Sequence, residues 1–445
     1  MTRSALSFAL AALLAACGGD GDKPAAGANA PAAAPDSAIA GADSTARAVN
    51  RPRCDGDNGA ITVPAGFCAV VFADVDGSPR HIAVAPNGDV YVALTQRQSG
   101  GTAGVLALRD TSGDGKADRQ ERFGPASGGT GIALVDGWLY FAEDSAVHRW
   151  RLEPGTLAPA GEPETIVRGL PTGGHTAKTI ALDGRGALYV NVGSRTNACQ
   201  QQDRQRGSRG VDPCMELNTR AGIWRFDANK PGQTQAQGAR FATGIRNAVG
   251  ITVSDGQLFA TQHGRDQLSD NWPELFNDQK NAENPAEELL MVNQGDDFGW
   301  PYCFYDIDQE HLVLAPEYGG TGTGVGRCAQ KKAPVAVFPG HWAPESVVIY
   351  QGTQFPEHYR GGAFIAFHGS WNRAPLPQAG FNVSFVPLGG GRATGAGETF
   401  ADGFRREGEG ESATHRPMGL AVAPDGSLYV TDDAGGRIWR IYFRG

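Results

Sequence analysis

Long apolar runs are missing from this 445-residue chain: the stretch Ala5 to Ala16 near the start is too short to span a bilayer. No C-x2-C spacing occurs, which argues against a zinc-ribbon or finger site, and no C-x-x-C-H motif offers covalent haem attachment. Basic residues do not predominate. The formal net charge of −9 argues against a nucleic-acid partner, which would want a basic stripe. No sustained amphipathic helical period is present. The glycine run Gly320 to Gly326 lacks the strand-to-helix context of a dinucleotide loop, so NAD binding is excluded.

What is present begins with a leader. Arg3 followed by the short apolar run reads as a signal peptide over residues 1–16. Its end, Leu14-Ala15-Ala16-Cys17, matches a bacterial lipoprotein, with Cys17 as the acylated residue. Residues 17–50 are rich in Gly, Ala, Pro and Asp, bury little, and are expected to form a disordered tether. Gly18 after the cysteine points to the outer membrane in a diderm host. The expected location is therefore exported, on the periplasmic face, touching membrane through the lipid alone.

Of the seven cysteines, Cys17 is thus assigned to lipid. The other six fall in neighbouring pairs: Cys54 and Cys68, Cys199 and Cys214, Cys303 and Cys328. An exported, oxidising location makes disulfides the default, and the local pairing is expected among the many connectivities possible.

The rest of the chain, 51–445, repeats one phrase: an apolar strand, a Gly/Asp turn, then a strand rich in Leu, Tyr and Val. Copies begin at Ile82, Ile132, Ile180, Gly250, Gly361 and Gly419. Asn-Gly and Asp-Gly between alternating strands are hairpin signals. Outer strands follow at 222–227, 287–292 and 437–443. The expected fold is all-β, a six-bladed β-propeller whose last blade is completed by residues 68–75. The long stretch 294–345 reads as an inserted loop stapled by Cys303 and Cys328, with a weak seventh blade as the alternative.

In each innermost hairpin, the incoming and outgoing loops lie at the same end. The incoming loops carry Arg80, His175, Arg246, Asn247 and Arg416. The outgoing loops carry Ser194, His263, Gly264, Arg265 and His368, with Trp371 and Arg373 just beyond. These positions are expected to meet at one channel mouth. Several guanidinium groups suit a flat polyanion, which they can bind bidentately and stack upon. A histidine among them is a candidate general base. Inward-turned carbonyls beside a glycine could hold a hard cation such as Ca²⁺.

Six segments resemble the soluble quinoprotein sugar dehydrogenases: GGHTAKTIALDGRGALYVNVGS (173–194), GIRNAVGI (244–251), TQHGRD (261–266), EELLMVNQGDDFGWPYCFYD (287–306), HGSWNR (368–373) and HRPMGLAVAPDGSLYVTDD (415–433). The resemblance is closer to the L-sorbosone and pyranose dehydrogenase branch than to the soluble glucose dehydrogenases. It implies pyrroloquinoline quinone (PQQ) and Ca²⁺ as cofactors, and oxidation of an aldose or sugar aldehyde to lactone or acid by hydride transfer to the quinone. A separate electron acceptor, cytochrome or quinone, is implied with it. By position, His175 would take the substrate hydroxyl proton and Arg246 would polarise the quinone carbonyl. Asn247 would fix the cofactor, and Arg80, His368, Arg373 and Arg416 would contact it. The carbonyls of Gly264 and Arg265 would hold the calcium bound with the quinone. Two departures stand out. Ser194 replaces the aspartate of the glucose branch, and Lys178 stands where the sorbosone branch has arginine.

A second calcium loop is suggested by the spacing of Asp110, Asp114 and Asp118, with a plain polar turn as the preferred alternative. Glu287, Glu288, Asp296, Asp297 and Asp306 could build another ion site, though acidic loop charge is the plainer reading. Trp272, Trp300, Trp342 and Trp371 are candidates for a sugar floor or for core. The competing functions are a propeller lactonase and a non-catalytic surface propeller that binds carbohydrate or a partner.

Overall fold

The computed structural model describes residues 52–96, 102–406, 408 and 413–445. The signal peptide, Cys17 and the tether lie outside the described residues, as does the whole of the separate unit Met1–Val49.

Six sheets of antiparallel strands are arranged as blades. Their innermost strands are Ser78–Val84, Gly131–Val135, Ile180–Leu182, Ile251–Ser254, Pro344–Ile349 and Pro417–Val422. Each abuts the next, and the sixth abuts the first, so the strands ring a central channel. Blade 2 gains a fifth, parallel strand, Gln233–Thr234, along Val167 and Arg168.

Local chemistry explains the hairpins. In blade 2 Val135 pairs with Trp138 across Asp136-Gly137, both at positive φ (50° and 76°). In blade 4 Ser254 pairs with Gln257 across Asp255-Gly256, at 50° and 79°. Two successive left-handed residues make the tight turn whose twist suits paired strands, and Asp-Gly adopts it at low cost.

Packing between blades supplies the core. Six main apolar clusters form, one at each blade interface: Leu188 and Trp224 lie between blades 2 and 3, Ala260 and Leu290 between 3 and 4, Phe364 and Trp439 between 5 and 6. Second strands are therefore covered on both faces. Ala363 to Phe367 are fully buried, which is why this segment reads as a continuous apolar run.

Closure of the ring follows the sequence expectation. Phe67–Asp74 pairs antiparallel with Arg437–Phe443, Cys68 opposite Tyr442 and Val71 opposite Trp439. Pairing the two ends of the domain closes the ring, with Phe67–Asp74 as the outer strand of a four-stranded blade 6. The expected local disulfides are all present: Cys54–Cys68, Cys199–Cys214 and Cys303–Cys328.

One point differs in detail, and a second follows the expected reading. The copy at Gly361 supplies only the second strand of blade 5. Its first strand is Pro344–Ile349, separated from Ala363–Phe367 by residues 350–362, a longer connection than in any other inner hairpin. The stretch after Val292 contains one small hairpin, Cys303–Asp306 with His311–Leu314, so it is an insertion in blade 4 and not a seventh blade.

Trp439 is fully buried, donates its indole N–H to the Gly59 carbonyl (3.0 Å), and packs edge-on against Phe404 (5.2 Å). Trp439→Ala is predicted to cost about 3–5 kcal/mol. A melting temperature clearly below wild type in a thermal scan, with Trp439→Phe falling between, checks this.

Candidate active site at the channel mouth

The site is assembled from loops at one end of the inner hairpins, beginning with blade 3. His175 precedes its first strand and Ser194 follows its second. Gly193 permits their approach, since a Cβ there would lie 2.6 Å from His175 Cβ and 2.9 Å from Asn247 Oδ1. His175 Nδ1 faces the Ser194 carbonyl (3.0 Å) and Ser194 Oγ (2.9 Å). The serine hydroxyl donates onward to the Thr196 carbonyl at 2.7 Å. Both atoms facing Nδ1 are then acceptors, so Nδ1 carries the proton and Nε2 keeps its lone pair. Among the described residues Nε2 has no hydrogen-bond partner. Burial, reinforced by Arg246, holds the imidazole down to about 3.

Blade 4 is locked to blade 3 by Ser194 N–H donating to the Arg246 carbonyl at 2.7 Å. The Arg246 guanidinium is buried and donates to Asn197 O (3.2 Å), Asn197 Oδ1 (3.0 Å), Gly264 O (2.9 Å) and Asp266 Oδ2 (2.7 Å). Arg204 donates to the same carboxylate at 2.7 Å. Burial pushes the Asp266 carboxyl up, but Arg246 and Arg204 outweigh it and hold it well below the usual carboxylate range. Asn247 accepts from Asn191 Nδ2 (3.3 Å), and its carbonyl accepts from His263 N (3.1 Å).

Gly264 N–H donates to Glu287 Oε2 at 3.0 Å. Burial raises Glu287 to about 8, so at neutral pH this carboxyl is mostly protonated. The Arg265 side chain turns away to Glu317 and Asn271 (2.9 Å), leaving only its backbone near Gly264.

The ring continues through blades 5, 6 and 1. His263 Nε2 lies 3.1 Å from the Pro344 carbonyl and 3.9 Å from Glu345. Glu345 lies 3.7 Å from Arg80, and Arg80 also pairs with Asp433. Asp433 bonds His368 Nε2 at 2.6 Å, and Arg416 donates to the carbonyls of His368 (2.9 Å) and Gly369. His81 N–H reaches Thr130 O (3.3 Å) of blade 2, and Gly131 of that blade lies against Lys178 of blade 3. One chain of contacts thus runs around the whole mouth.

The structure brings Arg80, His175, Arg246, Asn247, Gly264, His368 and Arg416 to this rim. It does not present Arg373 there. That guanidinium is spent on the carbonyls of Ala282 (2.5 Å), Gly340 (3.2 Å) and Pro377 (3.0 Å) and on Glu283 (2.7 Å), a loop clamp. Lys178 is buried against the Thr176 carbonyl, and desolvation brings its ammonium down to about 8.

The loop proposed for a second calcium is an acid-capped turn. Asp110 accepts from Gly113 N (2.7 Å) and Gly115 N (2.8 Å), Asp114 from Lys116 N (2.9 Å), and Asp118 from Thr111 and Ser112. No group of three acidic, histidine or cysteine ligands is placed to hold a metal among the described residues. Glu287, Glu288, Asp296, Asp297 and Asp306 likewise face separate partners, Asp297 taking Lys331 and Asp306 taking Lys280. Trp272, Trp300 and Trp342 pack into the protein; Trp371 is exposed.

Sequence reasoning missed three acids: Asp266, Glu345 and Asp433. Asp266 and Asp433 stand inside TQHGRD and the final VTDD, where their neighbours drew the attention. Glu345 opens the blade 5 strand that lacked a tight-turn signature.

A sequence model of the TrAA12-like family matches residues 61–443. The chain belongs to the TrAA12-like family. This agrees with the resemblance to PQQ-dependent sugar dehydrogenases carried by its motifs. Relatives of this TrAA12-like chain include a PQQ-dependent pyranose dehydrogenase of Coprinopsis cinerea, 27% identical over 66% of this chain and 43% of its own length. An aldose sugar dehydrogenase of Escherichia coli is 21% identical over 68% of this chain and 72% of its own. A protein of Borreliella burgdorferi is 29% identical over 45% of this chain and 48% of its own. The chain thus spans about half the length of the first two curated relatives it matches. In fold it is similar to the holo PQQ domain of the Coprinopsis cinerea enzyme (TM-score 0.70, 20% identity, 88% and 98% covered). It is also similar to a calcium structure of a Trichoderma reesei family AA12 protein (TM-score 0.69, 18% identity, 88% and 99% covered).

The unfolded imidazole would titrate near 6.5 and the folded one near 3. The folded state therefore binds fewer protons in that window, and His175 subtracts stability as pH falls through it. Ser194→Asp places an anion on Nδ1 and is predicted to raise the His175 pKa by roughly one unit or more, followed by NMR titration. Ser194→Ala is predicted to leave it low. An unmoved titration in Ser194→Asp contradicts the partnership.

Proposed function

We propose that this TrAA12-like protein is a PQQ- and Ca²⁺-dependent oxidoreductase that converts a pyranose or sugar aldehyde, of sorbosone type, to lactone or acid. The observation that carries this reading is the His175 imidazole, protonated at Nδ1 by the Ser194 contact and open at Nε2, beside Arg246 on a rim of cations.

The donor set fits a flat tricarboxylate. Arg80, Arg246 and Arg416 come from three blades, and Arg80 Nε is buried there without a hydrogen-bond partner. Arg80, Arg416 and His368 would hold carboxylates, Asn247 would help fix the group, and Arg246 would donate to a ring carbonyl. The hard-cation donors also fit: the Gly264 carbonyl has a second lone pair beyond its bond to Arg246, and the Arg265 carbonyl accepts no hydrogen bond among the described residues. When bound, the quinone with its calcium supplies the two-electron acceptor.

The protein's own part is proton transfer and placement. His175 Nε2 takes the proton of the sugar hydroxyl, while Ser194 keeps the ring oriented through Nδ1. Lacking a carboxylate partner, the imidazolium is stabilised less than a His–Asp pair would allow, so His175 is a weak base poised to return its proton quickly. Asp266 balances Arg246, so the added charge on His175 is not opposed by a bare cation. Electrons then leave for a separate cytochrome or quinone. Export and lipid anchoring through Cys17 would place this chemistry on the periplasmic face of the outer membrane.

The test is dye reduction by apoprotein reconstituted with PQQ and Ca²⁺ across a sugar panel. Turnover is predicted for wild type, falling about 10²–10⁴-fold in His175→Ala, with quinone uptake retained. No turnover with any sugar, in protein that has bound the quinone, overturns the proposal.

A further inference from the structure

Trp371 is the one large aromatic side chain left exposed among the described residues, at 57%. A single exposed aromatic is ordinary on a protein surface. This one is held unusually firmly. It opens the short turn Trp371–Arg373, and the segment carrying it is fixed at both ends to the site. On one side, the carbonyls of His368 and Gly369 accept the Arg416 guanidinium. On the other, Asn372 Nδ2 donates to Asp266 Oδ1 at 2.7 Å, the carboxylate that pairs with Arg246. Arg373 adds its clamp to Glu283 and three carbonyls. Residues 368–373, the exit loop of blade 5, therefore form a strap along the rim from blade 6 contacts to blade 4 contacts, with Trp371 between the two anchors in sequence.

One acceptor on this strap and one on a side chain held against it lack hydrogen-bond partners. Asn372 Oδ1 and Gln378 Oε1 are buried and make no hydrogen bond. Their amide nitrogens are committed: Asn372 Nδ2 to Asp266, and Gln378 Nε2 to the Trp371 carbonyl at 3.1 Å. A buried acceptor without a donor is costly unless a ligand or water supplies one. An exposed indole, with an orphaned amide oxygen on the next residue and another on the side chain bonded to its own carbonyl, suits a ligand that is apolar on one face and rich in hydroxyl donors at its edge. A pyranose ring has that character.

We propose that Trp371, Asn372 and Gln378 form a subsite for a second sugar ring, so that the substrate class is an oligosaccharide whose terminal ring reaches His175. The identity of the reacting ring rests on the oxidoreductase reading above; the stacking subsite itself does not.

The experiment uses the full chain and borohydride-reduced cellotriose, xylotriose and maltotriose, which bind without an oxidisable end. Calorimetry is predicted to detect at least one of them at millimolar concentration. Trp371→Ala is predicted to weaken it about ten-fold, Trp371→Phe far less. In the PQQ-loaded protein, the ratio of KM for the unreduced trisaccharide to KM for its monosaccharide is predicted to rise about ten-fold in Trp371→Ala. If no sugar is oxidised yet the reduced trisaccharide binds and Trp371→Ala weakens it, the subsite stands and the oxidoreductase reading falls. If no reduced trisaccharide binds, or Trp371→Ala binds it as tightly as wild type, the subsite is overturned whatever the activity.

Discussion

The 2.7 Å hydrogen bond from Ser194 N–H to the Arg246 carbonyl ties the end of one inner hairpin to the start of the next. From it the positions of both neighbours follow. Ser194 presents two acceptors to His175 Nδ1, and Arg246 is delivered to Asp266 and Gly264. Gly193 makes the junction possible, because any side chain there would strike His175. Remove this link and the imidazole loses its orientation while the guanidinium loses its placement. The propeller supplies such a junction between adjacent blades, which is how loops distant in sequence come to share one rim.

Charge at that rim is balanced before any ligand arrives. Arg246 is paired with Asp266, and Arg80 with Asp433 and, more loosely, Glu345. Buried pairs of this kind add little net stability, since desolvation offsets most of the attraction. Their effect is geometric: each cation is held in one place, with part of its hydrogen-bonding capacity left open, as at Arg80 Nε. An incoming polyanion must share these cations with resident carboxylates. Burial strongly depresses His175, while Glu287 stays mostly neutral at physiological pH, so the acids that remain ionised are those facing arginine.

Much of this was legible in the sequence, for identifiable reasons. Asp-Gly and Asn-Gly turns need left-handed backbone, so they marked the hairpins, and pairs of cysteines near in sequence could close locally. Blade 5 was half-hidden because its inner strand, Pro344–Ile349, has no tight turn after it. The cationic and histidine positions showed because they flank inner hairpins, and topology places such flanks at one end. Direction is what a sequence does not carry: Arg373 sits two residues beyond Trp371 but folds back onto loop carbonyls, and Asp110 and Asp118 turn inward to cap their own backbone. The balancing acids were missed because a carboxylate beside an arginine in sequence says nothing about which arginine it meets in space.

On the proposed reading, these blades enclose a single site for a flat polyanion, with Arg80 and Arg416 among its ligands. Equilibrium titration of the apoprotein with PQQ in Ca²⁺, followed by absorbance, tests it most directly. Saturable binding of one PQQ per chain is expected, weakened about ten-fold or more in Arg80→Ala and in Arg416→Ala. Non-saturable uptake, or equal affinity in both variants and wild type, would contradict it.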